Sequence, residues 1–104
     1  MKSYPKSGQS PEFLKFYNKE KKRLSNLFTQ KGCKNFEMYA GFNFFSAFFT
    51  SPSGQVYYIH FEDYRWNKYD ELLIRTAKNY TDYSGGSNQY VGTSDEEILN
   101  FKLQ

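Results

Sequence analysis

One thiol and one imidazole are available for nucleophilic chemistry, Cys33 and His60. A cysteine attacks as its thiolate, usually beside a base that takes the proton. Cys33 follows Gly32, the glycine that closes a predicted helix, and the negative end of a helix dipole disfavours a thiolate. The carboxylates Glu62 and Asp63 are neighbours in sequence. On a strand, neighbours point to opposite faces, so these two cannot make a facing acid–base pair. A single Cys and a single His also fall short of the usual zinc ligand sets. The expectation is a non-enzymatic protein with no catalytic residue, no metal site and no cofactor.

The chemistry that the residues do offer is binding. Aromatics make up 21% of the chain, as ten Tyr, eleven Phe and one Trp. Rings bury large areas, and a tyrosine keeps a polar tip for water or a partner. The stretch from Tyr80 to Tyr90, YTDYSGGSNQY, joins Tyr, Ser, Gly and Asn in an adaptable contact surface and follows Arg75 and Lys78 closely. Its Gly85-Gly86 pair would permit close approach of a partner. It has neither a P-loop ending nor a dinucleotide fingerprint. Arg75, Lys78, Tyr80, Tyr83, Asn88 and Tyr90 are the residues expected to meet a protein partner.

A second set suits single-stranded nucleic acid, which stacks on sheet-borne rings while cations hold its phosphates. Phe44, Tyr58, His60, Arg65 and Trp66 are of the required kinds, with Lys15, Lys19 and Lys22 as a basic surface. Against this set stand a net charge of only +3 and its distribution. Residues 1–34 carry nine Lys/Arg and two acidic residues, whereas residues 35–104 carry five and nine. The stretch that supplies the rings is therefore acidic on balance, where a nucleic-acid sheet is usually basic.

These residues need elements to position them. Ser10-Pro11 is a helix start, with an N-cap hydroxyl and a proline at the first helical position. The helix is predicted over 10–32, after an irregular arm at 1–9. Phe13, Phe16, Tyr17, Leu24, Leu27 and Phe28 fall on one helical stripe, with Lys15, Lys19 and Lys22 opposite. Glu20 interrupts the apolar stripe, so it needs a Tyr hydroxyl, an Arg on the sheet or an edge from which to reach water.

From residue 35 the period changes to that of strands. Residues 36–50 read as one strand or as two broken near Gly41, and residues 51–54 as a turn. Residues 55–63 and 71–78 read as further strands, giving an antiparallel sheet over 35–78. Residues 79–93 read as a polar loop. Ser94-Asp95-Glu96-Glu97 is a capping-box pattern that opens a short helix within 94–104. The fold class is α+β: a long N-terminal amphipathic helix packed on a three- to four-stranded antiparallel sheet, with a short C-terminal helix.

Tyr57, Ile59 and Phe61 share one face of the second strand, while Tyr58 and His60 share the other, so both faces of the sheet carry rings. One long helix can cover one of them. The other is left to the arm and loop, to a second copy in a homodimer, or to a ligand.

The 104 residues make one domain by length. A lone thiol, no apolar run of membrane-spanning length and no signal-like start point to a cytoplasmic protein without a membrane partner. Lys outnumbers Arg eleven to three, and Lys, Asn, Tyr, Phe and Ile are residues of AT-rich codons. That bias suits the compact proteins of phages and mobile elements, many of which inhibit host machinery by occluding a surface. A protein-binding inhibitor or accessory factor is therefore the first functional expectation, with single-stranded nucleic-acid binding and a structural homodimer as alternatives.

Overall fold

In the computed structural model, which describes residues 10–64 and 70–104, one long helix and one short helix accompany six strands. Helix α1 spans Pro11–Gln30. Ser10 caps it, its hydroxyl accepting from the Phe13 amide at 3.0 Å. At the other end Gly32 takes φ +86°, a left-handed value that costs glycine little. The Cys33 amide donates to the Phe28 carbonyl and the Gly32 amide to Thr29, which satisfies the last turn and ends the helix.

The strands are β1 (Lys34–Ala40), β2 (Phe45–Thr50), β3 (Val56–Phe61), β4 (Glu71–Asn79), β5 (Asp82–Gly85) and β6 (Gln89–Gly92). They form an antiparallel meander in the order β1-β2-β3-β4, and β5 and β6 each pair with β4. The predicted break near Gly41 is a tight turn, with the Gly41 amide donating to the Phe44 carbonyl and Asn43 at φ 62°. Helix α2 (Asp95–Asn100) starts at the expected Ser94, whose hydroxyl accepts from the Glu97 amide.

The sheet has more strands than the three or four expected. Residues 79–93 are not a loop, because β5 and β6 lie within them. Their Ser, Gly and Gln content hides the strand pattern. Strand β4 is nine residues long, and its backbone groups on the side away from β3 need partners along that whole length. β6 pairs with its first half and β5 with its second. The glycine pair serves this pairing within the chain. A Cβ on Gly85 would collide with the Thr76 carbonyl of β4, and Gly86 donates its amide to that same oxygen at 3.1 Å. Gly85→Ala should therefore cost about 1–3 kcal/mol as an overpacked contact. Urea unfolding and amide exchange at Gly86 would read it; unchanged protection there would contradict the pairing.

The core lies between α1 and one face of the sheet. Phe13, Tyr17, Leu24, Leu27 and Phe28 of the helix meet Phe45, Ala47 and Phe49 of β2, Tyr57, Ile59 and Phe61 of β3, and Leu72 and Ile74 of β4. The Tyr17 hydroxyl, beneath the helix, donates to the Met38 carbonyl at 2.8 Å. Glu20 is only 5% exposed and is held by Arg23 of the same helix, not by a residue of the sheet, with 2.7 Å between Nη2 and Oε1. Residues three apart on a helix are neighbours, so the partner was within reach locally.

Candidate functional site: the open sheet face

Strand alternation sends a second set of side chains to the face turned away from α1. Their registered neighbours are Tyr39 and Ser46 on β1 and β2, Phe48 and Tyr58 on β2 and β3, and Tyr58 and Arg75 on β3 and β4. The rings form a row across the strands. Tyr39 meets Phe48 edge-on at 6.4 Å between centroids, Phe48 meets Tyr58 at 5.3 Å, and the Arg75 guanidinium lies 5.2 Å from the Tyr58 ring centre. Cations over aromatic faces attract, and aromatic pairs at these spacings stabilise beyond their buried area. Arg75 Nη1 also donates to the Asn88 side-chain oxygen at 2.8 Å.

On one flank of this row, Tyr80 folds in from the β4–β5 turn. Its hydroxyl bonds the Thr50 hydroxyl at 2.6 Å, and its ring lies 5.7 Å from Phe48. On the other flank, the Phe44 ring lies 5.4 Å from His60. His60, Ser46 and Tyr58 close a triangle of hydrogen bonds: Ser46 Oγ to His60 Nδ1 at 2.9 Å, Tyr58 OH to Nδ1 at 3.1 Å, and Ser46 Oγ to Tyr58 OH at 3.2 Å. The triangle satisfies three polar tips within an aromatic surface.

Next to His60 the face sinks into a depression of about 340 Å³ lined by His60, Glu62, Glu71, Leu73 and Tyr90. Tyr90 stands 57% exposed and Tyr39 48% exposed, at opposite ends of the face.

Burial pushes the His60 imidazole below its ordinary value of 6.5; the Arg75 charge adds to this and Glu62 opposes it. A base whose folded value is depressed takes up protons more readily when unfolded. The stability that His60 contributes is therefore present above about pH 6.5 and lost as pH falls through the lower folded value. Urea midpoints should drop between pH 7.5 and pH 5 and drop less in His60→Gln. An imidazole that titrates at 6.5 or above by NMR would contradict this.

The two predicted site sets are redistributed by the fold. Arg75, Tyr80, Asn88 and Tyr90 from the protein-binding set join Phe44, Tyr58 and His60 from the nucleic-acid set on this one surface. Lys78 is exposed on β4. Arg65, Trp66 and the side chain of Tyr83 lie outside the described residues, as does the 1–9 arm. Lys15, Lys19 and Lys22 are exposed on the outer side of α1, with the helix and the core between them and the rings. The basic surface and the stacking surface are thus on opposite sides of the protein. Cys33 packs in the core, where burial raises its thiol, and His60 is on the open face, so the two form no pair.

Sequence reasoning missed Tyr39, Ser46, Glu62, Glu71 and Leu73 as site residues. The alternation along β3 and β4 contained Leu73 and Glu62, but only the register shows which residues share a depression.

No family model, curated protein or solved structure matches the chain.

Proposed function

We propose that this protein is a non-enzymatic binding module that docks a protein partner on its open sheet face, as an inhibitor or accessory factor of the kind that phages and mobile elements encode. The carrying observation is the set Tyr39, Tyr58 and Arg75, ranged about the buried Phe48 ring and flanked by Tyr90, on the face that α1 leaves uncovered. Tyr, Phe and Arg are the side chains that concentrate binding energy in protein interfaces. Charge favours a protein over a nucleic acid. Glu37, Glu62 and Glu71 are exposed around the rings, and among the described residues the cation on the ring row, Arg75, is already engaged by Tyr58 and Asn88. Phosphates would meet these carboxylates, while the exposed lysines of α1 point away. A buried, free Cys33 suits a cytoplasmic setting.

Anisotropy titrations with labelled single-stranded DNA and RNA separate the readings. The expected result is no saturable binding at about 0.15 M salt. Saturable binding that weakens steeply with salt and is lost in Tyr58→Ala would transfer the face to nucleic acid. Sedimentation is expected to give a monomer; a dimer abolished by Tyr39→Ser and Tyr90→Ser would make the face a self-interface.

A further inference from the structure

The depression beside His60 has a chemistry of its own, and resting on the reading above we infer that it receives a guanidinium side chain, an arginine of the protein partner. Its base is Leu73, with His60 registered on one side and Tyr90 on the other. Continued by two residues, the β3–β4 register carries Glu62 toward Glu71, and both line the depression. Like charges opposite each other across strands destabilise a sheet. Beyond Glu71 its registered partner is Gly92, and the Glu97 carboxylate occupies the space where a Cβ at Gly92 would lie. Among the described residues, neither Glu62, Glu71 nor Glu97 has a salt-bridge partner; both ion pairs there belong to Arg23.

Three further features fit an arginine. The exposed Tyr90 ring offers a face on which a planar guanidinium stacks. Leu73 is half-buried and gives the aliphatic stem an apolar floor. His60 is half-buried, and burial disfavours its charged form, so it competes little with a guanidinium for the carboxylates. The carboxylates do not converge as metal ligands, since no three such groups among the described residues are placed to hold an ion. A guanidinium presents five donors in a planar fork and can serve more than one carboxylate oxygen at once.

The probe is Nα-acetyl-arginine N-methylamide, titrated into the full chain by NMR, with the neutral citrulline analogue as control. Saturable amide shifts centred on Leu73 and Tyr90 are expected. The citrulline analogue, or the arginine probe on Glu62→Gln/Glu71→Gln, should bind about tenfold more weakly, the loss of two partly exposed charge contacts. Equal shifts from both probes, or shifts unchanged in the double variant, would overturn the inference. So would arginine binding that appears only after Arg65 and Lys68 are replaced by Gln, which would mean that the chain supplies its own cation. A protein captured equally by wild type and Glu62→Gln/Glu71→Gln, and lost in Tyr39→Ser/Tyr90→Ser, would end this inference while leaving the docking face intact.

Discussion

Phe49→Ala should cost about 3–5 kcal/mol of folding stability, the range for deleting a buried aromatic side chain. For a domain of this size that is roughly 15–30 °C in Tm, and a large part of a total of about 5–15 kcal/mol. Phe49 is fully buried, 4.4 Å between ring centres from Phe28 of α1 and stacked at 7° on Tyr57 of β3, 5.4 Å away. Phe36 of β1 adds a third ring neighbour, stacked on it at 6.2 Å. One side chain therefore joins the helix to three strands. Rigid rings surround it, so the walls cannot collapse into the cavity as flexible aliphatics would. Urea unfolding followed by near-UV circular dichroism measures the loss. A loss below about 1.5 kcal/mol, the range of tolerated core swaps, would show that the stack does not tie the layers.

Arg23→Met should cost almost as much by a different mechanism. Glu20 is buried, and Arg23 supplies it with Nη2 at 2.7 Å and Nε at 3.1 Å. The same guanidinium donates to the Thr93 carbonyl at 2.8 Å and to Asp95 at 2.6 Å. Its removal leaves a buried carboxylate unpaired and unties the start of α2. Breaking a buried pair in this way costs about 3–5 kcal/mol, and the lower end applies because the Arg23 side chain is 25% exposed. Glu20→Leu added to Arg23→Met should recover part of the loss, since an apolar residue then fills the apolar stripe. Amide protection at Ile98, which donates to the Ser94 carbonyl, should fall in Arg23→Met as α2 frays. A double variant less stable than Arg23→Met would show that the carboxylate is not what the arginine compensates.

The elements with strong local signals were legible. Ser10-Pro11 and Gly32 bounded α1, and Ser94 with Glu97 opened α2, because caps depend on a few adjacent residues. Alternation along β3 sorted Tyr57, Ile59 and Phe61 from Tyr58 and His60, and the structure buries the first three in the core. Strands β5 and β6 were hidden because pairing with β4, rather than a hydrophobic pattern, makes them strands. The glycine pair suggested an approach by a partner, and Gly85 instead lets β5 approach Thr76. Glu20 breaks the apolar stripe and so demands a partner, but the i, i+3 spacing of Arg23 alone does not show that the guanidinium turns inward. The two candidate sites could not be merged or separated from sequence, because only the register and the side on which α1 packs decide which residues share a surface.

The docking claim is tested most directly by comparing the two sides of the protein. Wild type, an open-face variant (Tyr39→Ser/Tyr90→Ser) and a helix-face variant (Lys15→Gln/Lys19→Gln/Lys22→Gln) would each be immobilised and exposed to lysate of the native host, and bound proteins quantified by mass spectrometry. All five positions are exposed, so each variant should keep the core intact. The expected result is a protein retained by wild type and by the helix-face variant and lost from the open-face variant. Retention by the open-face variant with loss from the helix-face variant would contradict the account and move the site to the lysines of α1.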